Sequence, residues 1–200
     1  MPRRFYKRFY SLPELYAILV VGLRTAPRLL AARRAGLVDA KLAERVMLAV
    51  TEVNGCEICS YAHARMALET GLAAGEIRML LAGDAGSVPA DEAIAIAFAQ
   101  HYADSRGRPG REGWQRLLDA YGEPKALGIL GAARVMMIGN AYGIAWSAFA
   151  NRLRGRRVGT SSLAYEVAML LAVVPFTPAA AVHALAAAVL RAPLVEFPVR

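Results

Sequence analysis

The chain has 200 residues, 56% of them apolar, and a formal net charge of +8. That length and apolar content exclude a disordered protein and suffice for one packed domain, or one domain with an appendage. Its two cysteines fall in a single motif and leave none for structural bridges, which fits a reducing compartment and makes the cytoplasm the expected location.

Strand signals are almost absent, because β-branched residues occur in short runs among alanine and leucine rather than in alternation, so the expected fold is all-α. Ser11 and Glu14 form a capping box for a first helix running to about Leu23. Pro27 opens a second that Gly36 ends. Basic residues precede the apolar run Tyr16 to Leu23 as they would in a signal peptide. Pro13 and Glu14 interrupt the approach, however, Arg24 closes the run early and no small-x-small cleavage site follows, so the segment reads as an ordinary helix.

Asp39 caps a third helix to about Val53. Asn54 then stops that helix and caps the next, with Glu57 three residues on completing an Asn-x-x-Glu variant of the capping box. Cys56 and Cys59 fall in the first turn of this fourth helix, which ends at Thr70 with Gly71 left-handed after it. Further helices are expected over 73–82, 91–105, 110–121 and from Pro124 to near Arg154. Gly128, Gly131, Gly139 and Gly143 in the last of these would let another helix approach closely.

A basic linker from Arg154 to Ser162 leads to an apolar tail. Val167 to Leu190 carries no charge and approaches spanning length, but Pro175, Thr177 and Pro178 divide it and His183 lies inside. Two short buried helices are expected rather than a membrane span, packed on the domain or on a second subunit. The division is thus 1–157 as a helical domain and 158–200 as linker and tail.

Arginine supplies most of the net charge, in patches at Arg3 to Arg8, Arg24 to Arg34, Arg106 to Arg116 and Arg152 to Arg157. The patches are dispersed, and only Phe5 to Tyr10 interleaves aromatics with them, so a solvated basic surface is expected and no nucleic-acid partner.

The chemistry concentrates between Glu44 and His63. Residues three apart on a helix are neighbours, so Cys56 and Cys59 can reach the ~4.4–6.8 Å Cα separation that a disulfide needs. At an ordinary thiol pKa of ~8.5 about 3% is thiolate at neutral pH, and lowering it to ~7 raises that to about half. A helix N-terminus favours the thiolate. His63, four beyond Cys59, shares its face and can take its proton, which makes Cys59 the better-activated nucleophile. An imidazole base needs a carboxylate to orient it, and Glu44 and Glu52 on the preceding helix are the candidates.

Glu44, eleven residues, Cys56-x-x-Cys59-x-x-x-His63, then Gly71-Leu72 and Glu76-Ile77 together resemble the alkylhydroperoxidase D-like branch of the carboxymuconolactone decarboxylase family. The likeness runs from about Leu12 to Arg157, with Asn140 and Asn151 on the long helix. It implies an all-helical fold assembled into trimers or hexamers, and a peroxidase cycle acting on small organic hydroperoxides without a metal or bound organic cofactor. By that resemblance Cys59 attacks the hydroperoxide and becomes a sulfenic acid. Cys56 resolves it as a disulfide, Glu44 and His63 relay protons, and a thiol or lipoyl-bearing partner restores the dithiol. Of the two carboxylates it selects Glu44. One departure stands inside the motif: the well-known peroxidase members carry histidine immediately before the second cysteine, where this chain has Ile58, so proton delivery around Cys56 is expected to differ and turnover to be slow.

Three rival readings stay open. Cys56, Cys59, His63 and Glu44 could hold zinc, although no second Cys/His pair exists. An oligomeric scaffold or redox sensor could use the same disulfide at an interface. Lactone decarboxylation, the family's other chemistry, does not require a thiol pair. A c-type haem would need histidine where Ser60 stands, and a thioredoxin-like fold would need a βαβ pattern. His101 and His183 read as packed or capping residues, and Met136, Met137, Trp114 and Trp146 as helix-packing residues.

Overall fold

A computed structural model describes residues 5–197; Arg3 and Arg4 of the first basic patch lie outside the described residues. Among these residues the chain is all-helical, in the order α1 (Leu12–Arg34), α2 (Ala40–Asn54), α3 (Glu57–Glu69), α4 (Ala74–Leu80), α5 (Ala93–Asp104), α6 (Arg111–Leu153), α7 (Leu163–Leu171) and α8 (Val173–Val189).

The caps follow from the sequence. Ser11 accepts a hydrogen bond from the Glu14 N–H at 3.4 Å while the Glu14 carboxylate accepts from the Ser11 N–H at 2.8 Å, closing the capping box that starts α1. Asp39 accepts from the Leu42 N–H at 2.7 Å and starts α2. Gly71 takes φ +87° after α3, the left-handed conformation expected there.

Pro27, expected to open a separate helix, instead lies inside α1. The missing N–H costs one intrahelical bond. Against that, Leu15, Ile18, Leu19, Gly22, Thr25, Leu29 and Ala32 form one continuous buried stripe across the proline, and the stripe lies on α6. Breaking the helix would give up half of that stripe.

α6 is the organising element and contacts α1, α2, α3, α5 and α7. It is two helices joined at Gly122, whose φ of 70° and ψ of 162° are open to glycine, with Pro124 starting the second part. This agrees with the separate helices expected to end at Tyr121 and begin at Pro124. Where α6 crosses α1 the backbones approach closely. A Cβ built on Gly128 would stand 2.5 Å from the Ala32 Cβ, and one on Gly131 would stand 3.0 Å from the Thr25 carbonyl oxygen.

The tail forms two helices, as expected, but it is not buried throughout. α7 docks on α6 through the Arg152–Glu166 ion pair, with the Glu166 carboxylate enclosed and bonded at 2.7 and 2.8 Å. α8 lies on α1, where the Tyr16 and Phe176 rings meet edge to face. Since α8 is apolar on all sides, only one side can face α1, and Val174, Val182, Leu185, Val189 and Leu190 stay exposed. By length and composition α1 and α6 are long and apolar enough to cross a membrane, and α7 with α8 would be a third such segment, bent by 46°. In α6, 72% of the most apolar window is buried against the other helices; in α1 the figure is 44%.

Candidate active site

The site is the elbow where α2 ends and α3 begins, closed from above by α6. α2 is buried along almost its whole length, so Glu44 is carried into the interior with it. Its carboxylate meets His63 of α3, with Glu44 Oε2 2.8 Å from His63 Nδ1. The carboxylate accepts from Nδ1–H, which leaves Nε2 as the nitrogen free to take a proton. Glu52, the other candidate, points elsewhere and pairs with Lys7. Glu44 and His63 are nineteen positions apart in sequence, and the α2–α3 turn between them folds α3 back onto α2.

That turn differs from expectation. Asn54 does not cap α3. It is the last residue of α2, Gly55 follows in the left-handed conformation, and Cys56 itself is the N-cap. The Cys56 Sγ accepts from the Cys59 N–H at 3.3 Å, in the manner of a serine cap. Asn54 is drawn into the core instead, where its Oδ1 accepts from the Tyr10 hydroxyl at 2.6 Å and its Nδ2 faces the Met137 sulfur at 3.2 Å. Glu57 likewise serves no capping box. Its carboxylate accepts from the Tyr6 hydroxyl at 2.6 Å and from Asn151 Nδ2 at 2.9 Å, tying the N-terminal segment and the end of α6 to the first turn of α3. Burial first, and the Glu57 carboxylate second, raise the Tyr6 phenol above its ordinary value, so it remains a donor.

Cys56 and Cys59 are joined as a disulfide with Cα atoms 5.3 Å apart. The two sulfurs are not equivalent. Cys56 has no exposed surface, while Cys59 keeps 7%. Sγ of Cys59 lies 3.5 Å from the Gly139 carbonyl oxygen. Gly143, one turn on, has no side chain where both sulfurs sit. Ile58 is 41% exposed, and its Cγ2 meets the same glycine. Asn140 fixes α6 on α2 by donating to the Met136 carbonyl and the Thr51 hydroxyl.

The structure brings Glu44 and His63 together and joins Cys56 to Cys59. His63 stands four residues beyond Cys59 on α3, and an imidazole oriented by a buried carboxylate is a group that can move protons. Among the described residues no three His, Cys, Asp or Glu side chains converge to hold a metal ion. His101 caps, its Nε2 accepting from the Gly110 N–H at 3.2 Å. Trp114 is buried as expected, whereas Trp146 is half exposed. Sequence reasoning missed the Tyr6–Glu57–Asn151 cluster and the part of Gly143. The only signal for the latter was the four-residue spacing of Gly139 and Gly143.

The family model for the carboxymuconolactone decarboxylase family matches residues 24–100, a stretch that contains Glu44, Cys56, Cys59 and His63. Comparison with curated proteins and with solved structures gives no significant match. Glycines 139 and 143, Asn151 and the tail lie beyond the matched stretch. Over residues 24–100, the helical elbow included, this chain is similar to the carboxymuconolactone decarboxylase family.

Proposed function

We propose that the protein is an alkylhydroperoxidase D-like thiol peroxidase that reduces organic hydroperoxides through a Cys56/Cys59 dithiol–disulfide cycle. The observation that carries this reading is the Glu44–His63 contact between α2 and α3, the helix that also carries the cysteine pair. The Cys59 thiolate, the sulfur with surface to offer, attacks the terminal peroxide oxygen. An S–O bond forms, the O–O bond breaks, and the alcohol leaves with a proton relayed by His63. Cys56 then attacks the sulfenic acid, an S–S bond forms and water leaves. A dithiol of small-molecule, protein or lipoyl type supplies the two electrons that reopen the disulfide.

Trimeric or hexameric assembly fits the same reading, since the bare outer face of α8 is of a kind that a second subunit covers. Ile58 favours a second reading, because the residue beside the sulfurs carries no proton. In that case the disulfide is a redox sensor or part of a scaffold, and oxidation alters assembly without turnover.

Titrating the reduced protein with an organic hydroperoxide and mapping oxidation by mass spectrometry tests the peroxidase. The wild type should give the intramolecular disulfide, and Cys56→Ser should accumulate sulfenic acid at Cys59. Peroxide consumption by Cys59→Ser at the wild-type rate would overturn the assignment.

A further inference from the structure

Away from the cysteines, a cavity of about 480 Å³ opens between the start of α1, the turn after α5, α6 and the C-terminal segment around Leu194. Its lining includes none of Glu44, Cys56, Cys59 or His63. Arg134 of α6 lines it and is only 3% exposed. Nε of Arg134 donates to the Tyr102 hydroxyl at 2.9 Å, but Nη1 has no partner, and no carboxylate pairs with this guanidinium among the described residues. Arg24, also on the wall, donates through Nη2 to the carbonyls of Ala192 and Pro193 and holds the C-terminal segment across the cavity, while its own buried Nε is unpartnered.

A buried guanidinium lacking a counter-charge is costly, because the charge loses its water and the Tyr102 hydroxyl and ring replace only part of it. The remaining charges do not cancel it. The wall carries four arginines against the glutamates Glu14 and Glu196, and Glu14 is already held by the Ser11 cap and by Arg106. Ile18, Val21, Met137 and Leu194 give the lining an apolar part.

We propose that this cavity binds a small organic carboxylate, its anionic head on Arg134 and its hydrocarbon part against the apolar wall. The planar fork of a guanidinium matches two carboxylate oxygens, and the volume lies within the range of small-molecule sites. Of the other wall arginines, Arg106 is paired with Glu14 and Arg24 holds the carbonyls of Ala192 and Pro193, so the cavity suits a monoanion better than a phosphate dianion.

Isothermal titration of the full chain with octanoate, octanol and inorganic phosphate decides it. Octanoate should bind with one site per chain, and neither octanol nor phosphate should match it. Arg134→Gln should weaken octanoate roughly 10- to 150-fold, the range of a hydrogen-bonded charge. If octanoate fails to bind, if octanol or phosphate binds as tightly, or if a folded Arg134→Gln binds octanoate as the wild type does, the proposal is wrong. Should that variant not fold, the wild-type comparison of octanoate with octanol stands as the deciding measurement.

Discussion

A methyl group built on Gly143 of α6 would lie 2.7 Å from the Cys59 sulfur, and at the same distance from that of Cys56. No real Cβ tolerates so short a contact, so Gly143→Ala must push α6 and the α2–α3 elbow apart. The expected cost is about 1–3 kcal/mol of stability, as for other overpacked sites, together with slower disulfide formation. Gly128→Ala is the control: its methyl would meet the Ala32 Cβ at 2.5 Å, on the α1 side. Urea melts should show both variants destabilised, whereas peroxide-driven loss of thiols should slow only in Gly143→Ala. Equal oxidation rates in the two would separate Gly143 from the chemistry.

The Glu44 carboxylate, 2.8 Å from His63 Nδ1, fixes which imidazole nitrogen is free. Glu44→Gln keeps the shape but presents an amide that can donate to Nδ1 and select the wrong tautomer. Peroxide consumption should then fall by about 10²-fold or more, within the range of general acid–base catalysis, while the helical content by circular dichroism stays as in the wild type. Glu52→Gln, which touches Lys7 rather than His63, should retain the wild-type rate.

These two cases mark what a sequence can and cannot carry. Local chemistry was legible: the Ser11 and Asp39 caps, Gly71 and the break before Pro124 each depend on residues within a turn of one another. Helical spacing narrows the partner of His63 to Glu44 or Glu52 on the preceding helix, and only the family resemblance selects Glu44. What escaped depends on partners far along the chain. Pro27 stays helical because of α6, about a hundred residues away. Asn54 abandons its capping role for Tyr10 and Met137, and Gly143 matters only because two sulfurs arrive from α3. The sides of α8 are unreadable for a related reason, since an apolar composition says nothing of which neighbours cover a helix, and within one chain α8 meets chiefly α1.

Acid should loosen the tail. Hydrogen bonds from Arg152 are the largest influence on the Glu166 carboxyl and, with Ser161, hold it below its ordinary value against the opposing effect of burial. A carboxyl whose folded pKa is depressed contributes stability that is fully present above the unfolded value of ~4.3 and is lost as pH falls through the lower folded one. Wild-type stability should therefore drop between about pH 4.3 and the acid limit, with α7 leaving α6. Glu166→Gln should be less stable at neutral pH and show less of this acid-dependent drop. Urea midpoints for both proteins across that range check the sign, and identical pH slopes would remove Glu166 from the account.

Ile58 offers a test in which function is gained. It stands one residue before Cys59, it is 41% exposed, and its Cγ2 meets Gly143 beside both sulfurs. A histidine there needs no new room in the core and would bring a titrating nitrogen to the side of the site that His63, held by Glu44, does not serve. General acid–base assistance contributes about 10²–10⁴-fold where a step depends on it. Ile58→His should therefore raise the rate at which the sulfenic acid of Cys59 condenses with Cys56, and the gain should follow the titration of an imidazole near its ordinary pKa of ~6.5. Rapid-mixing kinetics that resolve sulfenic acid formation from disulfide closure provide the measurement. An acceleration confined to the first step would show that the added base serves Cys59. No acceleration at any pH would mean that proton delivery around Cys56 does not limit the cycle.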